Sequence, residues 1–253
     1  MQIADAFKPI QYFDINPTGR DYVVGDIHGY WDLVSRLMDS VDFDGSADRL
    51  FCTGDLIDRG PQSDKVLDYL DKPYFHSVCG NHEEMLLSVH AEGNTDADID
   101  LNATYNGFEW YRGIDDLDRM LIAIELAKLP LLIQVATHHG AVGIAHADIP
   151  YSLDWRQLIA ALSNKASREK TVEAVIWGES RLQHQLTPEK TVGAIDHVYL
   201  GHVHMGKAMF KVGNIRYIDP DFHGWAMATP KKRKRATAPY MVQIQPEVRV
   251  ISL

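Results

Sequence analysis

Three short apolar runs in the first third of the chain each end in a glycine followed by an acid or an amide. Tyr22-Val23-Val24 runs into Gly25-Asp26, residues 50–53 into Gly54-Asp55, and residues 75–79 into Gly80-Asn81. Each is followed by a stretch with helical spacing. Strand, polar residue and helix, repeated three times, predict βαβ units whose parallel strands are covered by helices. Loops leaving the carboxyl ends of neighbouring parallel strands converge. The three polar ends are therefore expected at one edge of one sheet, where open α/β sheets hold their ligands.

Over residues 102–129 the apolar positions Phe108, Tyr111, Leu117, Leu121 and Ile124 suit amphipathic helices, and Pro130 ends that stretch. Runs at 131–136 and 142–145 flank His138-His139-Gly140 and predict a hairpin-like pair. Further helices are expected over 153–162 and 168–177, with Trp110, Trp155 and Trp177 in helical stretches as core residues. The last third reads as strands at 197–200, 207–212, 215–218, 240–244 and 248–251, with Gly213-Asn214 as a tight turn. No internal repeat is present, and one domain spanning 1–253 is expected.

Composition adds exclusions. At 253 residues, 45% hydrophobic and 24% charged, the chain matches ordinary soluble globular proteins rather than disordered or disulfide-stapled ones. Its 25 basic and 35 acidic residues give −10, which argues against adhesion of the whole surface to nucleic acid or anionic membrane. Only the run Lys231-Lys232-Arg233-Lys234-Arg235 offers a local exception, as an import-like signal, a polyanion site or, on the plainer reading, a solvated loop between two C-terminal strands. The longest apolar stretch, 129–136, is too short to span a bilayer, and residues 1–10 lack the apolar segment of a secretory signal. A cytoplasmic location is the expectation. Cys52 and Cys79 sit near the ends of apolar runs and read as small buried thiols rather than metal ligands. The oddity is 12 histidines.

Several of those histidines fall with carboxylates at strand ends. Asp26-Ile27-His28 places a carboxylate and an imidazole two apart, Asp55 follows the second strand, and Asn81-His82-Glu83 the third. Ala145-His146-Ala147-Asp148 adds an imidazole, and Gly201-His202-Val203-His204 two more. Carboxylate, amide oxygen and imidazole together are the donor set of hard or borderline divalent cations, and a pair of ions draws such ligands from several loops. The adjoining glycines allow a sharp turn beside a metal without a Cβ at every position. Each motif alone is weak; five in this order are specific.

The series resembles the calcineurin-like metallophosphoesterases, and within them the phosphoprotein phosphatase family in its bacterial and phage-lambda form. The resemblance runs from about Asp21 to Ile244 and includes His146-Ala147-Asp148-Ile149-Pro150 and Val175-Ile176-Trp177. It implies a metallophosphoesterase-type α/β sandwich with two mixed sheets flanked by helices. It further implies that Asp26 and His28 bind a first metal, that Asp55 bridges, and that Asn81, His146 and His202 bind a second. His82, held by Asp58, would protonate the leaving oxygen, and Arg59 would contact phosphoryl oxygens, a role suited to its two-pronged guanidinium. An Asp partner keeps such a histidine protonated near neutral pH; the plainer reading of His82 is structural.

Three departures qualify the resemblance. His204 stands where phosphoprotein phosphatases usually carry Thr or another non-ligand; in more distant metallophosphoesterases a second histidine there binds the first metal, so His204 is expected as a ligand, against a solvated role. Glu179 occupies the position of a phosphate-binding Arg, so either Arg181 substitutes or that contact is lost. Residues 217–225 differ from the Ile-Asp-Thr-Gly pattern of the relatives, in a loop expected to border the substrate. The function that follows is a two-metal phosphomonoesterase acting on serine, threonine or tyrosine phosphoproteins or small phosphoesters. Manganese is the expected metal, with iron, zinc and nickel as alternatives. A dinucleoside polyphosphate or nucleotide phosphoesterase is the second reading, and a catalytically silent scaffold the third.

Overall fold

The computed structural model describes residues 8–93, 95–183 and 191–253; residues 1–7, part of the N-terminal segment read above, lie outside it. In chain order the elements of the first half are β1 (Lys8–Phe13), β2 (Asp21–Val24), α1 (Trp31–Asp39), β3 (Arg49–Cys52), α2 (Val66–Leu70), β4 (Phe75–Ser77), α3 (Asn81–Ala91), α4 (Asp96–Asn106) and α5 (Asp116–Leu126). There follow β5 (Pro130–Thr137), β6 (Gly140–Ile144), α6 (Trp155–Ser163), α7 (Lys165–Trp177), α8 (Ser180–Gln183), β7 (His197–Leu200), β8 (Phe210–Val212) and β9 (Ile215–Tyr217). The chain ends with α9 (Phe222–Met227), α10 (Pro230–Arg233), β10 (Tyr240–Gln245) and β11 (Arg249–Ser252).

Two mixed sheets result, one ordered β11-β10-β2-β3-β4 and the other β1-β5-β6-β7-β9-β8. β2, β3 and β4 are parallel neighbours, pairing Val23 with Phe51 and Phe51 with His76, as the three strand-glycine runs predict. β5 and β6 form the expected antiparallel pair, and β8 and β9 close around the Gly213-Asn214 turn.

The period-2 alternation of each strand divides the core. Val23, Phe51 and Val242 face Ile133, Val142, Ile144 and Tyr199 of the other sheet and fill the space between the two. Their neighbours Tyr22, Val24, Leu50 and Cys52 face outward against Trp31, Val34 and Leu37 of α1. Buried on both faces, these strands read as unbroken apolar runs. The outer face of the second sheet is covered in the same way by Leu158, Leu162, Val172 and Val175 of α6 and α7. This is the α/β sandwich expected.

Four local expectations change. β1 adds an edge strand parallel to β5 that the sequence did not announce. The stretch 102–129 is broken by a 3₁₀ turn at Glu109–Gly113, which follows the left-handed Gly107 (φ +81°) that ends α4. The strand expected from residue 207 begins only at Phe210. The segment 222–233 forms two short helices, so part of the basic run is a helical turn rather than loop. No helix among the described residues is long and apolar enough to cross a membrane.

Candidate metal centre

Every strand that feeds the site does so from its carboxyl end. Asp26 and His28 follow β2, Asp55 follows β3, Asn81 opens α3 after β4, His146 follows β6 and His202 follows β7. The two sheets thus bring their loops to one edge of the sandwich. His28, Asp55 and His82 offer ligand atoms all within 4.8 Å of one another, and so do Asp55, His146 and His202. Asp55 belongs to both groups: Oδ2 lies 3.6 Å from His28 Nε2, and Oδ1 lies 3.5 Å from His146 Nε2. The Asn81 amide oxygen is 2.8 Å from His146 Nε2 and 3.1 Å from His202 Nδ1. Asp26 is buried, accepting from the Thr53 hydroxyl at 3.0 Å and the His202 N–H at 2.9 Å.

The backbone at these residues is unusual. His28, Asp55, Asp58, Arg59 and His202 all adopt positive φ, between +47° and +70°. For residues other than Gly, Asn and Asp this conformation costs about 1–2 kcal/mol each, and it turns the side chains toward one another. Close packing demands glycine alongside: a Cβ at Gly201 would lie 2.0 Å from Asp26 Oδ1.

The tautomers follow from carbonyl partners. His146 Nδ1 lies 2.8 Å from Thr53 O and His28 Nδ1 3.0 Å from Ile57 O, so each donates from Nδ1. A neutral ring then turns its Nε2 lone pair into the centre, where that of His28 meets the Arg59 guanidinium at 2.6 Å. Burial holds His28 well below the ordinary imidazole range and lowers His146, and burial together with His146 brings His202 to about 4. His146 Nε2 and Asn81 Oδ1, both acceptors, meet at hydrogen-bond distance, a contact that suits a shared cation. Asp26 is raised well above the usual carboxylate range by burial, then by Asp219 and Asp55. Burial also pushes Asp55 up, but His146, His82 and His28 outweigh it and hold it below. Buried carboxylates, imidazole lone pairs and an amide oxygen converging in this way fit divalent metal ions.

Beside the ligands lies a second arrangement. His82 Nδ1 is 2.6 Å from Asp58 Oδ2, and the other oxygen of Asp58 accepts the Trp110 indole N–H at 2.7 Å. Burial alone would lower His82, but Asp55 and Asp58 overcome it and its pKa is raised. Arg59, exposed at the mouth, reaches His28 Nε2 at 2.6 Å and His82 Nε2 at 3.0 Å.

Two expected residues are placed elsewhere. Arg181 is buried, and its guanidinium donates to the carbonyls of Ile149 (2.6 Å), Leu153 (3.3 Å) and Pro150 (3.4 Å), packing over Tyr151. It turns away from the cluster because those carbonyls need a donor, and it offers no fork to a phosphate. His204 is exposed and sets Nδ1 3.1 Å from the Asp219 carbonyl; it is in neither ligand group, and nor is Asp26, which is buried beside them. The tryptophan expectations divide as well. Trp155 is core, but Trp110 holds Asp58, and Trp177 is 43% exposed with its ring 6.3 Å from that of His202. Cys52 and Cys79 are buried free thiols, as expected.

Three residues were not expected in the site from sequence, Trp110 among them having been read as core. Glu83 is buried and accepts from three backbone N–H groups, those of Asp55 (2.9 Å), Gly80 (2.8 Å) and Leu56 (2.8 Å), so it ties the loop after β3 to the start of α3. Burial and Asp55 push it up to about 7. An acid three residues after a helix start is a legible capping signal. Asp219, beyond β9, lies beside Asp26, and burial raises it to about 6. Trp110 carries no local signal.

The model of the calcineurin-like phosphoesterases matches residues 21–206. The chain belongs to that family. It is 29% identical over 202 residues to serine/threonine-protein phosphatase 1 of Salmonella typhimurium, covering 78% of this chain and 84% of that one. It is 34% identical over 161 residues to a symmetrical bis(5'-nucleosyl)-tetraphosphatase of Erwinia tasmaniensis, covering 63% of this chain and 53% of that one. Among solved structures, a protein serine/threonine phosphatase from Saccharomyces cerevisiae superposes with a TM-score of 0.62 at 15% identity, over 99% of this chain and 87% of that one, a likeness of fold.

Proposed function

We propose that this phosphoesterase is a metal-dependent phosphomonoesterase acting on phosphoserine and phosphothreonine in proteins. Asp26, His28 and Asp55 would hold one divalent ion and Asp55, Asn81, His146 and His202 a second, with manganese the favoured metal for this mixed donor set. When bound, the ions supply positive charge against the phosphoryl oxygens and lower the pKa of the attacking water. The chain's own residues do the rest. Arg59, exposed at the mouth, would leave its contacts with the His28 and His82 rings to grip phosphoryl oxygens with its fork, freeing His82 Nε2. His82 delivers a proton from Nε2 to the leaving oxygen, while Asp58 holds its Nδ1–H and the charge of the imidazolium. Trp110 fixes the carboxylate of Asp58, and Glu83 keeps the loops of Asp55 and Asn81 in register.

The observation that carries this reading is the position of Asp55, within reach of both ligand groups, beside the His82–Asp58 pair. The preference for phosphoproteins rests on the coverage of the phosphatase relative, which spans most of both chains, whereas the tetraphosphatase match spans about half of that protein. The test is a substrate panel on manganese-loaded protein: phosphoserine, phosphothreonine and phosphotyrosine peptides beside diadenosine tetraphosphate. Faster turnover of phosphoserine and phosphothreonine peptides is the expected result. Turnover confined to the tetraphosphate would replace this reading with the nucleotide one, and no turnover of any substrate with any divalent metal would favour the scaffold.

A further inference from the structure

The segment joining β9 to β10 leaves the metal centre at Asp219 and runs outward along α9 to a basic surface. His223, on the first turn of α9, hydrogen-bonds the Tyr30 hydroxyl at 3.0 Å, two residues beyond the ligand His28, and lies close enough to Arg59 for their charges to interact. Two residues further on, the Trp225 ring carries the Arg233 guanidinium at 4.3 Å. Arg233 also donates to the carbonyls of Trp225 (3.1 Å) and Ala226 (2.7 Å) at the C-terminal end of α9. One arginine of the run is thus structural and pins the basic segment against α9.

The other four cations are left for something else. Among the described residues, Lys231, Lys232, Lys234 and Arg235 are exposed and take part in no ion pair. They form a concentrated positive patch on a chain of net charge −10, where isolated cations would be expected to find acidic neighbours. α9 has six residues, about 9 Å at 1.5 Å per residue. Because Arg233 packs back on Trp225, the run meets α9 within one helix length of His223, on the order of three extended peptide residues at about 3.3 Å per residue.

We propose that this patch is a specificity surface that docks acidic residues flanking the phosphorylated residue of a protein substrate. The inference rests on the phosphoprotein reading above and adds the substrate class. A phosphoryl group at Arg59 sends its chain outward past His223 and Trp225, and acidic side chains about three or more residues away reach the four cations. The favoured substrates are phosphopeptides with Asp or Glu at that distance.

The test uses three phosphothreonine peptides with one core and acidic, neutral or basic flanks, assayed on manganese-loaded protein at low and high salt beside p-nitrophenyl phosphate. The variant combines Lys231→Ala, Lys232→Ala, Lys234→Ala and Arg235→Ala and retains Arg233. Four exposed charge contacts, each weak, together give about tenfold. The parent should favour the acidic peptide by about that factor in KM at low salt, and the preference should collapse at high salt. The variant should lose the preference with kcat and p-nitrophenyl phosphate turnover unchanged. If it fails to fold, the double variant Lys231→Glu, Lys232→Glu carries the test, with p-nitrophenyl phosphate turnover as the check of folding. Equal KM for the three peptides, or an unchanged preference in the variant, overturns the docking surface and leaves the phosphatase reading intact. Turnover of p-nitrophenyl phosphate with none of any phosphopeptide overturns both.

Discussion

Trp110 donates its indole N–H to Asp58 across 2.7 Å, joining a 3₁₀ turn to the loop after β3 over 52 positions of sequence. The carboxylate so held faces His82 with its other oxygen at 2.6 Å. Trp110→Phe keeps the ring and removes the donor. Losing one hydrogen bond to a charged group costs about 1.5 kcal/mol or more, so kcat on p-nitrophenyl phosphate should fall about tenfold. KM and metal content should hold. An unchanged kcat would reduce Trp110 to packing.

Glu83 accepts from three backbone N–H groups with two oxygens. Glu83→Gln keeps the shape but turns one acceptor into a donor that must face an N–H. Leaving a buried donor unsatisfied costs about 1–3 kcal/mol. The variant should unfold at lower urea concentration and retain less metal after dialysis against a weak chelator. Equal metal retention would dissociate Glu83 from the centre.

Metal content separates the ligands. Asp55→Asn removes the charge that both groups share, so elemental analysis should find both ions reduced. His146→Ala should lose chiefly one. His204→Ala should keep both, because His204 is exposed and its Nδ1 meets the Asp219 carbonyl. Loss of an ion from the His204 variant would restore it as a ligand.

Arg181 acts on stability. Arg181→Met leaves the buried carbonyl of Ile149 without its donor, at about 1–3 kcal/mol. A chain of this size shifts about 2–4 °C per kcal/mol. Tm should drop by roughly 2–12 °C while KM for p-nitrophenyl phosphate stays the same. A raised KM at unchanged Tm would return Arg181 to the substrate.

His76, on β4 between Phe13 and Phe51 and remote from the metal centre, is lowered to about 4, first by burial and then by Arg49. The folded state therefore resists a proton that the unfolded chain takes up near 6.5. With the folded pKa below the unfolded one, stability is full above about pH 6.5 and declines as pH falls toward 4. Denaturant unfolding should show that decline, and His76→Phe should make it shallower, the lowered His28, His146 and His202 supplying the rest. Parallel curves for the parent and variant would remove His76 as the cause.

The sequence by itself determined the chemistry and its order. Strand, glycine and polar ligand is a local pattern, since a strand-ending glycine and the residue after it are adjacent in the chain. Parallel pairing of β2, β3 and β4 then sets Asp26, Asp55 and Asn81 side by side. The divalent-metal donor set was legible for the same reason, because ligand chemistry is a property of residue type. Tertiary structure alone decided the rest. It brought His146 and His202 across from the second sheet to meet Asn81. It turned the backbone left-handed at His28, Arg59 and His202, conformations that long-range packing imposes against local preference. It also sent Arg181 to backbone carbonyls and Trp110 to Asp58. An arginine in a motif reads alike whether it faces a phosphate or a carbonyl, and only the groups packed around it settle which partner it takes.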